Sequence, residues 1–306
     1  MKADDRFLEQ PKEFWANVRT ISQAVGYTKR VKGGPGEILI PTLQDIRAKF
    51  AVLKLSTAHI ANDKGDLSEF GKVLFAYFTH RAEVLNNVIH TMLMNRDQAK
   101  AEFDRLHKEL APKCPIPMNK QKGEKRGPAY LTGMVNILVE ANIGGAPCNY
   151  DPKGLTTVTR DSMPLRTLSR RVDGTFPSIV NPLAIWEIKE YYYTTTFGSR
   201  VADGVYETLV DGMELEELEA ASQRKIYHVL FVDDYFTWWV KGRSYLCRLV
   251  DLVHMGFVDE VIVGREVLTR VPVLAREWKL QFDEFEKTST EPIADADVPE
   301  VGDDPE

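Results

Sequence analysis

Apolar residues recur at intervals of three and four through the first third of the chain, then give way to alternating and continuous apolar runs. Leu43, Ile46, Phe50 and Leu53 fall on one helical stripe. Thr42 stands in front of them, where its hydroxyl can accept an otherwise orphaned backbone N–H. A second helical region is predicted from Leu67 to Met94, where Phe70, Leu74, Tyr77, Phe78, Arg81, Leu85 and Ile89 keep mostly the same spacing. Asp97 to Leu110, rich in Ala, Glu, Lys and Leu, extends the helical character. Two basic stretches punctuated by Gly and Pro, residues 27–36 and 115–128, read as loops. The second marks the boundary between a mainly helical N-terminal region (1–127) and a C-terminal region of different character.

From Pro128 the pattern changes. A helix is predicted over Ala129 to Ile143 on the strength of Leu131, Met134, Val135, Leu138 and Val139. A strand-like stretch, Leu165 to Val172, precedes a Gly/Pro-rich connection. The β-branched and aromatic run Leu183 to Tyr193 comes next. Phe197, Val201, Val205 and Leu209, four apart, predict a helix to about Ala221. Ile226 to Val232 is nearly continuous in apolar residues, as in a strand buried on both faces. A helix from Trp238 to Met255 and a short strand, Glu260 to Val263, complete an α/β layout around a central mixed sheet. There is no internal repeat. Residues 288–306 have the composition of a disordered acidic tail.

Composition narrows the class. Of 306 residues 43% are hydrophobic and 27% charged, an ordinary globular balance that excludes wholesale disorder and a collagen-like fibre. No apolar run reaches the ~18 residues of a membrane helix, and the N-terminus lacks the apolar stretch of a signal peptide. Cys114, Cys148 and Cys247 are far apart and form no CxxC, and the six histidines are scattered without an HExxH. That argues against a disulfide framework or a cysteine zinc site and for a reducing, cytoplasmic setting. The net charge of −6 belongs to the tail, whose seven acids face no base; residues 1–287 hold 39 bases and 38 acids. A polyanionic ligand therefore stays open, since local clusters of bases decide it. The chain carries no GxxxxGK[ST], no GxGxxG after a strand and no GxSxG, which excludes the nucleotide-driven, dinucleotide and serine-elbow chemistries those motifs serve.

One strand stands out. In Trp186-Glu187-Ile188-Lys189-Glu190, alternation puts Glu187 and Lys189 on one face and Trp186 and Ile188 on the other. Burying a carboxylate and an ammonium in such a strand costs several kcal/mol per ion unless they are paired or hold something. Asp173, 14 residues before Glu187 at the end of the preceding strand-like stretch, can reach that face if the two strands pair antiparallel. Two carboxylates suit Mg²⁺, which keeps several waters and adds substrate phosphate to its shell. A lysine beside them can hydrogen-bond an attacking water or offset charge on the phosphoryl group.

Asp173 with Glu187-Ile188-Lys189 resembles the PD-(D/E)xK nuclease superfamily, which includes many restriction endonucleases; the order helix, hairpin, helix, buried strand over about residues 128–265 resembles that family's core. The family's proline before the aspartate is Val172 here. The resemblance implies a restriction-endonuclease-like fold over 128–287. It implies a Mg²⁺-dependent deoxyribonuclease (Mn²⁺ as substitute) acting in restriction or anti-phage defence, with Asp173, Glu187 and Lys189 catalytic. Glu140 would be an additional metal ligand beside Asp173 and Glu187, and Arg200, Asp203, Tyr206 or Glu207 would lie near the scissile phosphate. Double-stranded DNA is the implied partner and a homodimer the implied assembly. The N-terminal region would supply recognition or dimer contacts. Lys29, Arg30, Lys32, Lys120, Lys122, Lys125, Arg126, Arg170, Arg171 and Arg200 are the candidate phosphate contacts. Other functions compatible with these residues are a nuclease subunit of a larger complex and a catalytically silent nucleic-acid-binding protein on the same fold.

Each feature also has a plain structural role available. Asp173-Gly174 is a hairpin-turn signal, Glu187 and Lys189 could be a structural ion pair, and Glu140 fits the polar face of an amphipathic helix. Asp233-Asp234, at the end of a buried strand, suits a strand-end turn or the cap of the next helix. Tyr191-Tyr192-Tyr193 suits sheet packing.

Overall fold

The computed structural model describes residues 1–29, 36–119, 123, 126–193 and 199–288. The predicted tail, save its first residue, and the loop bases Arg30, Lys32, Lys120, Lys122 and Lys125 lie outside the described residues.

The N-terminal helices are α1 (Asp5–Leu8), α2 (Lys12–Val25), α3 (Leu43–Val52) and α4 (Glu69–Glu83); the short strands β1 (Thr28–Lys29) and β2 (Glu37–Ile38) pair between α2 and α3. Thr42 caps α3 as predicted, in a reciprocal box with Asp45. α4 runs on through a π-helical turn, Val84–Ile89, into α5 (His90–Met92). Phe7, Phe14, Trp15, Ile21, Ile46 and Tyr77 belong to the core of this region.

The rest is a mixed α/β body. After α6 (Arg96–Leu110) and α7 (Tyr130–Glu140) come β3 (Thr157–Arg160), β4 (Met163–Thr167), β5 (Gly174–Phe176), β6 (Ala184–Lys189), α8 (Ser199–Ser222), β7 (Tyr227–Val232), a π-helical turn (Tyr235–Lys241), α9 (Arg243–His254), β8 (Glu260–Val263) and α10 (Val267–Thr288). The main sheet has the order β5-β6-β7-β8; β5 is antiparallel to β6, and β6, β7 and β8 run parallel. Its parallel strands are buried on both faces, hence their nearly continuous apolar sequences. Trp186, Ile188, Val229 and Phe231 pack on the α6, α7 and α10 side. Leu230, Val232, Val261 and Val263 pack on the α8 and α9 side. Strand pairing places Glu187 beside Leu230 and Lys189 beside Val232, so both charges face α8.

Two expectations change. The stretch Leu165–Val172 is not the partner of the Glu-Ile-Lys strand. Its first part lies in β4, in a separate hairpin with β3 that turns at Asp161 and Ser162, both at positive φ (49° and 63°). The partner is β5, so Asp173 precedes its strand rather than ending one, and Asp173-Gly174 is no hairpin turn. α10, which the sequence pattern did not announce, covers the Trp186 face; Trp278 stacks on Trp186 with ring centroids 5.7 Å apart and planes at 5°.

Candidate active site

β6 supplies the two central charges. Glu187 is 1% exposed and Lys189 9%. Lys189 lies along α8 at Gly204, where a Cβ would stand only 3.2–3.4 Å from three of its side-chain carbons. Its Nζ donates to Glu187 Oε2 at 2.9 Å and to Glu207 Oε2 at 2.6 Å. Burial works against the ammonium, but Glu187 and Glu207 outweigh it and hold the Lys189 pKa above the ordinary value.

β5 brings Asp173 to the same point. Asp173 N–H donates to Trp186 O at 3.1 Å, and its Oδ2 accepts from Ile188 N–H at 2.7 Å. The carboxylate is thereby pinned to the backbone beside Glu187. Asp173 retains an exposed edge. Protein atoms crowded around its carboxyl group, with Glu187 second, push its pKa up to about 6. Gly174 stands next in the chain because a Cβ there would lie 2.0 Å from Trp186 Cε2.

Arg170 closes the cluster. Its Nη1 lies 2.9 Å from Glu187 Oε1 and 2.7 Å from Asp211 Oδ2; its Nη2 lies 3.1 Å from Glu187 Oε2 and 3.4 Å from Glu207 Oε2. Glu207, Asp211 and Glu214 form a ridge at helical spacing on α8. Glu214 accepts from Ser169 N–H (3.0 Å), Ser169 Oγ (3.1 Å) and Arg166 Nη2 (3.1 Å), so residues 166–170 are strapped along it. Asp211 is fully buried, and its Oδ1 has no hydrogen-bond partner. Burial raises its pKa to about 7 against the pull of Arg170. Four carboxylates thus meet two cations.

The structure brings together Asp173, Glu187, Lys189, Arg170 and Glu207. It does not bring Glu140 to them: α7 packs on the Trp186 face, and Glu140 accepts from Lys113 N–H at 2.9 Å. Arg170, expected on phosphate, is ion-paired to carboxylates instead. Lys29, Arg126, Arg171 and Arg200 are exposed. Asp233 accepts from the backbone N–H of Tyr191 and Tyr192 and from the Trp238 indole, and Asp234 caps the π-helical turn through Thr237. Asp234 therefore acts as a cap, and Asp233 fastens the chain leaving β6 to the end of β7. Tyr192 and Tyr193 are packed in the core. The sequence reading missed Asp211 and the pairing role of Arg170. The available signal was the three-and-four spacing of acids on α8, opposite a basic segment.

Among the described residues, no three or more His, Cys, Asp and Glu side chains form a group able to hold a metal ion. Any cation held by Asp173 and Glu187 therefore completes its shell with water or substrate oxygen. Residues 94–278, which contain the whole cluster, match the family described as "Domain of unknown function (DUF7687)". The chain belongs to the DUF7687 family. Residues 1–88 match a second family, "Domain of unknown function (DUF7690)". The DUF7687 part carries α6 and the mixed sheet, and the DUF7690 part carries the N-terminal helices. No curated protein and no solved structure matches the chain. Among the described residues no helix is long and apolar enough to cross a membrane.

Proposed function

We propose that this DUF7687 chain is a Mg²⁺-dependent endonuclease that hydrolyses DNA phosphodiester bonds on a restriction-endonuclease-like core, in a cytoplasmic restriction or defence role. The observation that carries the reading is the convergence of Asp173, Glu187 and Lys189 on one sheet face, with Asp173 open to solvent. The donor set fits the ion: oxygen only, two carboxylates, an excess of negative charge, and an unpartnered buried oxygen on Asp211 nearby. Asp173 and Glu187 would hold Mg²⁺, which when bound supplies Lewis-acid charge at the phosphate and lowers the pKa of water.

The chain's own groups do the rest. With its pKa held above the ordinary value, Lys189 stays protonated, so it orients water or the phosphoryl oxygen as a donor rather than acting as a base. Arg171 and Arg200, exposed, are offered to backbone phosphates, with Arg126 and Lys29 as outlying contacts. A homodimer on double-stranded DNA belongs to the same proposal. A second reading, a nucleic-acid-binding protein without cleavage, is favoured by one feature: Glu187 is already engaged by both Arg170 and Lys189.

Incubation of supercoiled plasmid with purified protein separates the two. Nicking or linearisation with Mg²⁺, absent in chelator and in Lys189→Ala, is the expected result. Intact plasmid with wild-type protein in Mg²⁺ and in Mn²⁺ would refute the nuclease reading.

A further inference from the structure

Among the described residues Arg170 is the one group that touches three carboxylates of the cluster: Glu187, Glu207 and Asp211, all within 3.4 Å of its guanidinium nitrogens. A planar fork of donors matches carboxylate geometry, and its charge is permanent. Two features set Arg170 apart from a structural ion pair. Glu187 keeps a second cation without it, because Lys189 Nζ lies 2.9 Å away. Its own segment does not need it for anchorage, because Ser169 and Arg166 bind α8 independently through Glu214 and Glu217. Arg170 is also partly exposed, at 26% of its side chain, so it has somewhere to go. Glu207 and Asp211 lie one helical turn apart on α8 and can keep it once Glu187 is taken.

We propose that Arg170 is a placeholder cation, a positioning residue that holds the Glu187 carboxylate and yields it when a divalent cation binds, remaining paired to Glu207 and Asp211. This rests on the nuclease reading of the site. An opposite charge within about 4–6 Å of a carboxylate shifts its proton affinity by about 1–3 units, and the same attraction opposes any other incoming cation. Removing the guanidinium charge therefore tightens cation binding, whereas loss of a merely structural contact would loosen it.

Mg²⁺ binding is measured by calorimetry on the full chain for wild type, Arg170→Gln and Arg166→Gln. The expected result is about tenfold tighter binding in Arg170→Gln, a lower melting temperature for that variant without metal, and an unchanged Mg²⁺ affinity in Arg166→Gln, which loosens the same strap without touching Glu187. A second measurement needs no folded Gln variant. In the wild type, the Arg170 Nε–H resonance, assigned with Arg170→Lys, should shift and lose exchange protection as Mg²⁺ saturates. Equal or weaker binding in Arg170→Gln, or an Arg170 resonance indifferent to Mg²⁺, would overturn the placeholder and leave the nuclease reading standing. A wild-type protein that binds neither Mg²⁺ nor Mn²⁺ would overturn both.

Discussion

Asp173 owes its place beside Glu187 to the glycine next to it. Trp186 is locked against Trp278, so the space over Gly174 is filled by an indole ring that cannot easily retreat. Gly174→Ala should cost about 1–3 kcal/mol by overpacking, read as a lower urea midpoint. Wild-type stability in that variant would show that the contact relaxes elsewhere. Glu190, on the opposite face of the same strand end, caps α7 by accepting from Thr132 N–H (3.0 Å) and Thr132 Oγ1 (2.9 Å), because Ala129 offers no side-chain cap. Those donors favour the charged form, yet burial wins and raises its pKa from 4.5 to about 7. A folded-state pKa above the ordinary value means that stability present below pH 4.5 is lost as pH rises through about 7. The melting advantage of Glu190→Gln over wild type should therefore grow between about pH 5 and about pH 8; a difference flat across that range would contradict the assignment. At this scale Glu187 and Lys189 were legible, because alternation alone puts two charges on one face of a strand that should be apolar. Asp211 was not. Its trace was the three-and-four spacing of Glu207, Asp211 and Glu214, a pattern that a solvated helix face carries equally well.

The elements tell a similar story. α3, α4 and α7 announced themselves by period, α6 by its composition and β7 by its continuous apolar run, and Thr42 announced itself as the cap of α3. α10 carries a clean stripe (Val267, Val271, Leu274, Trp278, Phe282), but Pro272 inside it is a helix-breaking signal that hides the pattern. Leu165–Val172 reads as one strand because its residues have strand propensity. Instead Ser169 and Arg170 spend their polar groups on α8, which ends the ladder at Thr167. That strap can be tested alone. Glu214→Ala removes the acceptor of Ser169 N–H, Ser169 Oγ and Arg166, and should cost about 1–2 kcal/mol. Amide exchange should speed up over residues 168–172 while the parallel strands stay protected. Uniform acceleration across the sheet would mean that the strap is part of the global unfolding unit.

At the scale of the whole molecule, the DUF7690 and DUF7687 parts are joined by a buried charge network. Arg81 on α4 donates to both oxygens of Asp251 on α9 (3.0 and 3.1 Å) and to Ser22 Oγ on α2 (3.1 Å), and Tyr77 Oη donates to Asp251 Oδ1 at 2.6 Å. Removing one partner strands the other charge in the interior. Asp251→Ala should therefore destabilise by about 3–5 kcal/mol in a denaturant titration, with the N-terminal helices losing protection first; a loss under 1 kcal/mol, on the order of an exposed pair, would show that water reaches Arg81. The central claim concerns the other charge cluster, where Asp173 and Glu187 act as one site. Its most direct test is cleavage of supercoiled plasmid by wild type, Asp173→Asn, Glu187→Gln and the double variant across a Mg²⁺ and Mn²⁺ titration, with thermal melts as the folding control. Each single variant should lose activity by orders of magnitude, Asp173→Asn should recover in part with Mn²⁺, and the double variant should lose little more than either, as residues acting as a unit do. A folded Asp173→Asn protein that cuts like the wild type would contradict the account.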